Sequence, residues 1–293
     1  MNERQIRELK FSHNRQVHLT DKDLWDSYDR TMWEPLEAGG EHMVYKVKGG
    51  NIAKEVLPEI LQENDNTGKE RFRRFSLELD LRKSPFLTTT IAVSPTFSIE
   101  LKRGEDLEKY MIRNEIPVIK KRLSMCKDLF SGIYLVHSKR MAHLDLKPEN
   151  IFINDNQLSI GDFGNLHFFN DNIQHSTDEW GPPSISTRIG TDIDMYSAAY
   201  ITIGILTWKS SFISHCREFI QALIGSNGNV TTMCSALTTL FTHECMEEFN
   251  GLDLNQNLVK DLRCSILGTE CDANCHPHAF ETITILEKII SII

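Results

Sequence analysis

Apolar side chains recur at helical spacing between residues 116 and 137: Ile116, Ile119, Leu123, Cys126, Phe130 and Ile133, followed by Tyr134 and His137. That period predicts one long helix with a buried stripe, and Lys120-Lys121-Arg122 reads as its solvated face. Upstream, the pattern is one of short strands. Pro35–Val47 reads as a turn and strand around Gly39-Gly40, Gly49-Gly50 as a hairpin turn, and Asn51–Val56 as the strand beyond it. A helix is expected from about 68 to 83, then two strands, Leu87–Ser94 and Thr96–Leu101. Gly104-Glu105-Asp106-Leu107 opens another helix. A largely apolar helix begins at Asp192-Ile193-Asp194 and runs to Trp208. Residues 209–293 read as several helices with loops near 225–228 and 250–252. The first 31 residues are polar with scattered apolar positions (Ile6, Leu9, Phe11, Leu24, Trp25) and read as a helical or partly ordered extension packing on the strand-rich part of the chain.

Composition narrows the class. The chain has 293 residues, 40% hydrophobic and 25% charged, within the ordinary range for a globular protein. A net charge of -9 argues against a nucleic-acid-binding body. The longest apolar stretch, near Met195–Trp208, is too short to span a bilayer. Seven cysteines, an odd number with no apolar leader before them, point to a reducing, intracellular compartment, cytoplasm or nucleus. Cys264, Cys271, Cys275, His276 and His278 cluster loosely but lack the tight spacing of a zinc site, so free thiols are expected there.

The chemistry concentrates in His143-Leu144-Asp145-Leu146-Lys147-Pro148-Glu149-Asn150-Ile151-Phe152-Ile153, followed twelve residues after Asn150 by Asp162-Phe163-Gly164. An Asp, a Lys two places on and an Asn five places on share one loop, and a second Asp follows a short strand. The set suits phosphoryl transfer to a hydroxyl. One carboxylate receives the hydroxyl proton, one ammonium steadies the phosphate, and an amide with a carboxylate holds magnesium.

This run resembles the catalytic loop and metal-binding triplet of eukaryotic-type protein kinases, and Lys147 resembles the serine/threonine-directed branch. The resemblance implies that Asp145 is the base, that Lys147 neutralises transferred charge, that Asn150 and Asp162 hold Mg2+, and that His143 and Phe163 are core packing residues. It implies an ATP site formed by Leu36, Gly39, Val44, Ile52, Lys54, Ile99, Glu100, Leu101, Asp106 and Phe152. Lys54 is the candidate contact for the α- and β-phosphates. Ile99 is the expected gatekeeper lining the adenine pocket, followed by the hinge at Glu100-Leu101. Phe152 would lie under the adenine, with Val44 and Ile52 above. Asp106 is placed to meet a ribose hydroxyl or simply to cap its helix. Asp194 resembles the aspartate that braces the catalytic loop, with helix capping as its other role.

Several positions depart from the family pattern. Glu37 and His42 stand where flanking glycines are usual, and neither lets backbone amides approach phosphate closely. Counting back from Pro85 puts Phe75 where the family has the glutamate that pairs with the strand lysine. Leu79 then fits the apolar position one turn on, whereas choosing Glu70 or Glu78 puts Arg74 or Arg82 in that dry position. Glu78 could still reach Lys54 if the helix turns. Leu144 replaces the arginine that clamps an activation-segment phosphate, so activity should not need such phosphorylation. Ser184 and His276 replace both members of a buried ion pair, a joint loss that strands no charge. Thr177 resembles the substrate-docking end of that segment.

The expected fold is α+β and two-lobed, a small antiparallel β lobe with one helix (about 32–101) and a larger helical lobe (about 102–293), preceded by the extension 1–31. The expected function is ATP- and magnesium-dependent phosphorylation of Ser/Thr on a protein substrate. The alternatives are a pseudokinase acting as a nucleotide-binding or scaffold module, and a small-molecule kinase on the same fold. The compact, divergent chain also resembles kinases encoded by large DNA viruses. Oligomeric state is not legible.

Overall fold

A computed structural model describes residues 21–38, 42–56, 84–88, 90–94, 96–101, 104–154, 156–169, 190–208, 239, 241–242, 245–250, 252–267 and 279–293. The expected helix at 68–83, with Phe75, Glu78 and Leu79, lies outside them. So do Gly39, Thr177, Ser184 and four of the five clustered Cys and His residues, Cys271, Cys275, His276 and His278. The chain divides into two compact units, Met1–Gly104 and Glu105–Ile293. One carries an antiparallel sheet and the other is mainly helical, as expected of the two-lobed α+β class.

The first unit begins with α1 (Asp21–Tyr28) and a single 3₁₀ turn (Arg30–Met32). Five strands come next: β1 (Glu34–Ala38), β2 (His42–Lys46), β3 (Ile52–Val56), β4 (Thr90–Val93) and β5 (Phe97–Glu100). They pair antiparallel in the order β1-β2-β3-β5-β4. The β2–β3 turn needs its glycines, because Gly49 and Gly50 have φ of 79° and 75°, where a Cβ would clash. Leu36, expected near nucleotide, sits at the register shift between Pro35 and Glu37 and is exposed.

Side chains alternate across a strand, and directly opposed residues share a face. Tyr45↔Ala53↔Ile99 therefore lie on one face of the sheet, with Phe97 two residues from Ile99. Tyr28 and Trp33 cover that face, joining Val47, Ala53, Phe97 and Ile99 in one buried cluster. The Trp33 ring meets Phe97 edge-on at 5.4 Å and Tyr45 at 5.6 Å, and its Nε1–H donates to the Tyr28 carbonyl at 3.2 Å. Arg30 stacks over Trp33 and Tyr45 at 4.4 and 4.5 Å and pairs with Glu55 at 3.0 Å, so its charge is matched while its plane covers the rings. The Tyr45 hydroxyl donates to the same Glu55 carboxylate at 2.7 Å; burial, then that bond, pushes its pKa up. The end of the extension is thus part of this unit's core.

The second unit opens with β6 (Glu105–Asp106) and α2 (Leu107–Arg113), followed by the long α3 (Ile119–Ser138). Leu123, Cys126, Phe130 and Ile133 are buried as their spacing required, whereas Ile116 precedes the helix and is exposed. Arg122 corrects the solvated-face reading. It is 5% exposed, donates to the Leu206 carbonyl and pairs with Glu248 at 2.6 Å. Short strands β7 (Met141–Ala142), β8 (Ile151–Asn154), β9 (Gln157–Ile160) and β10 (His167–Phe168) come after it. They form two small sheets, β6-β8-β9 and β7-β10. Helices α4 (Thr191–Thr207), α5 (Gln256–Leu267) and α6 (Ala279–Ile292) complete the described part. Trp208 ends α4 in the left-handed conformation, and its indole N–H donates to the Asn114 carbonyl at 3.1 Å. Cys126 and Cys245 are buried and Cys264 is half-buried, and none of the three is in a disulfide.

Trp33→Ala removes the ring that ties the N-terminal turn to the sheet. It should cost about 3–5 kcal/mol in urea unfolding of the full chain. A loss below about 1 kcal/mol would show that residues 21–33 are not part of the core.

Candidate active site

The candidate catalytic loop lies between β7 and β8, and one buried carboxylate holds its backbone. Asp194, in the first turns of α4, is 1% exposed. Its Oδ2 accepts from the backbone N–H of His143 at 2.8 Å and its Oδ1 from that of Leu144 at 2.9 Å. The Nε2–H of His137, at the end of α3, donates to Oδ2 at 2.9 Å. The residue capping α4 is Gly190, so Asp194 braces the loop and is not the helix cap. Leu144 has φ of +63°, a conformation costing about 1–2 kcal/mol outside glycine, and the paired amides of His143 and Leu144 hold it there. Burial pushes the Asp194 carboxyl up. The His137 hydrogen bond, electrostatic attraction to His137 and His143, and last the His143 amide outweigh it, and the group ends below the ordinary carboxylate value.

His143 extends this bracing. Its Nδ1 accepts from the Asp145 N–H at 3.3 Å, so the ring proton sits on Nε2, which donates to the Gly161 carbonyl at 2.9 Å. Its ring packs on that of Phe163 at 5.3 Å, and both residues are buried. One side chain thus ties the loop to the segment carrying Asp162.

Asp145, Lys147 and Asn150 converge. Lys147 Nζ lies 3.2 and 3.1 Å from the two carboxylate oxygens of Asp145. Asn150 Nδ2 donates to the Asp145 carbonyl at 2.8 Å and to its Oδ2 at 2.9 Å. With the amide nitrogen committed to Asp145, the amide oxygen is the end of Asn150 suited to a cation. The β8–β9 hairpin brings Asp162 to the same end: Ile151 opposes Ile160, and Gly161 N–H donates to the Asn150 carbonyl at 2.8 Å. Asn150 and Asp162 thus stand close to either side of the last rung, offering hard oxygen donors of the kind magnesium takes. Asp162 has φ of +61°, a second left-handed non-glycine beside the same loop. Strain of this kind collects at functional sites.

Elsewhere in this unit, Asp106 caps α2, its Oδ1 accepting from Lys109 N–H at 2.9 Å. Phe152 stands opposite Asp106 in the β6–β8 pair and is half-buried.

In the first unit, Val44, Ile52 and Lys54 share a face of the sheet, since Val44 opposes Lys54 and Lys54 is two residues from Ile52. Ile99 does not share it. Ile99, the expected gatekeeper of the adenine pocket, opposes Ala53 and is fully buried with Tyr28 and Trp33. Spacing identified the strand but not its phase against β3, and a one-residue shift exchanges the faces. Glu100, expected to offer only its backbone, has its side chain on the Lys54 face opposite Ile52, and pairs with Lys54 Nζ at 3.4 Å. Leu101 comes directly after it and is exposed.

Sequence reasoning missed the roles of His137 and Glu100. A histidine in the apolar stripe of α3 was the available signal for His137. Nothing local signalled Glu100.

Similarity to known proteins agrees with this geometry. The protein kinase domain family matches residues 89–263, more than half of the chain. Death-associated protein kinase 2 of Mus musculus and of Homo sapiens is 30% identical over 131 residues, covering 41% of this chain and 35% of theirs. The eIF-2-alpha kinase GCN2 of Schizosaccharomyces pombe is 32% identical over 106 residues, 34% of this chain and 7% of the relative. Serine/threonine-protein kinase pkn2 of Myxococcus xanthus is 23% identical over 201 residues, 61% of this chain and 24% of the relative. The chain spans about a third or less of the length of these relatives. Among the described residues, no helix is long and apolar enough to cross a membrane.

A carboxylate held below its unfolded value stabilises the fold fully above that value, and the contribution is lost as pH falls through the folded value. Acidification below about pH 4 should therefore destabilise the native protein more steeply than Asp194→Asn. At neutral pH Asp194→Asn should cost about 2–3 kcal/mol in urea unfolding. Equal acid slopes for the two proteins would contradict the brace.

Proposed function

This chain belongs to the protein kinase domain family, and from that premise we propose that it transfers the γ-phosphoryl group of ATP to serine or threonine hydroxyls of a protein substrate. The observation that carries the reading is the Asp145 carboxylate held jointly by Lys147 Nζ and Asn150 Nδ2 on a loop braced by Asp194.

In this reading Asp145 orients the acceptor hydroxyl and receives its proton as the new P–O bond forms. Lys147 already lies against that carboxylate, so an acceptor oxygen and its incoming phosphoryl group meet a fixed positive charge at the same place. The contribution is positioning and charge neutralisation, realised as charge spreads over the phosphoryl oxygens. Asn150 and Asp162 would hold magnesium, which when bound neutralises phosphate charge. Lys54 contacts phosphate oxygens. Val44, Ile52, Phe152, Leu36 and the Glu100-Leu101 backbone serve the nucleoside, and Asp106, whose Oδ2 pairs with Lys109 Nζ at 2.8 Å, its ribose. The kinase domain is assigned to 32–293.

Lys147 and the name of the pkn2 relative favour serine and threonine as acceptors. The leucine at 144 favours activity without activation-segment phosphorylation, since no arginine follows His143 to clamp a phosphate.

Purified protein with Mg-ATP and a basic protein substrate should incorporate label on serine and threonine. Asp145→Asn should lower the rate by about 10²–10⁴-fold while leaving Mg-ATP binding nearly unchanged. Equal incorporation by the two proteins would refute the assignment. Binding without transfer by the native protein would favour a nucleotide-binding scaffold.

A further inference from the structure

We propose that Glu100 is the positioning carboxylate for Lys54. The sheet itself would then supply the counter-ion that orients this lysine toward nucleotide phosphate. The proposal deepens the kinase reading and rests on its assignment of Lys54.

The argument starts from register. Lys54 stands opposite Ser98 and Glu100 opposite Ile52, so Lys54 and Glu100 are diagonal neighbours on one face of the β3–β5 pair. Diagonal neighbours are about 7–8 Å apart at the backbone, a span long side chains bridge. Here they do: Nζ lies 3.4 Å from Glu100 Oε1. Both side chains are withdrawn from solvent, at 10% and 7% exposure. A buried ammonium needs a charge partner to remain ionised, and a buried carboxylate needs the same. The lysine stem is long and flexible, and an ion pair at its tip removes most of that freedom before any ligand arrives.

The partner's location has a mechanical consequence. β3 and β5 are hydrogen-bonded neighbours in the sheet. A counter-ion carried by β5 holds its distance to Lys54 whenever the sheet is formed. Orientation of the lysine is then a built-in property of the unit. The adjacent Ile99 is locked in the aromatic cluster on the opposite face, which fixes the phase of β5 and keeps Glu100 pointed toward Lys54.

A double-mutant cycle on the full chain tests this, read as the Kd for Mg-ATP by calorimetry, with thermal unfolding of each variant to confirm folding. Glu100→Gln should weaken binding about 10-fold in the native background and less than about 2-fold when Lys54→Met is already present. Glu100→Asp, which keeps the charge on a shorter stem, should recover part of the loss. In turnover, Glu100→Gln should raise KM for ATP more than it lowers kcat. Tighter or unchanged binding by Glu100→Gln, or equal weakening in both backgrounds, would overturn the proposal. Should Glu100→Gln fail to fold, Glu100→Asp carries the cycle with the same expected dependence on Lys54. A native protein that transfers phosphate without this coupling sinks the pair alone. One that shows the coupling but transfers no phosphate sinks the catalytic reading alone.

Discussion

A single carboxylate with 1% exposure, Asp194, sets the geometry on which the rest of the site depends. Burying it would be costly in isolation, but two consecutive backbone amides and one imidazole satisfy it. In return, the loop between β7 and β8 can hold Leu144 in a left-handed conformation that its side chain disfavours. Release of those amides would let the loop relax toward ordinary backbone angles and carry Asp145 away from Lys147 and Asn150. The cluster of Asp145, Lys147 and Asn150 is therefore only as well placed as the Asp194 contacts. They anchor it to α3 through His137 and to α4 directly, two helices with many buried side chains.

His143 adds a second level of order. With Nδ1 accepting and Nε2 donating, the ring joins the backbone at Asp145 to the carbonyl at Gly161. The β8–β9 hairpin reaches the same point by strand register. Two independent constraints thus bring Asn150 and Asp162 to one place, although they are twelve positions apart in the chain. The other unit solves a related problem differently. It uses alternation across a sheet to divide labour between faces: aromatic rings, Arg30 and Ile99 on one, and Val44, Ile52, Lys54 and Glu100 on the other.

The convergence of the loop's side chains was legible in the sequence because it depends on short-range spacing. Asp145, Lys147 and Asn150 lie within one short loop, and a proline and a strand fix how they can fold. The long helix and the role of Asp194 were legible for similar reasons. What was not legible depends on distant partners. Arg122 looked like part of a solvated basic run, yet its partner Glu248 lies 126 residues on. The pairing of Glu100 with Lys54 was not legible, because hydrophobic pattern locates a strand without fixing its phase against a neighbour. The N-terminal segment was expected to pack on the strand-rich part of the chain, but the polar residues around Tyr28 and Trp33 hid which side chains do so.

The most direct test is a crystal structure with Mg2+ and a non-hydrolysable ATP analogue. The amide oxygen of Asn150 and the carboxylate of Asp162 should ligate one ion at about 2.0–2.1 Å, with Lys54 against the phosphates and the loop amides still on Asp194. A nucleotide bound elsewhere, or Asn150 and Asp162 facing away from the ion, would contradict the account.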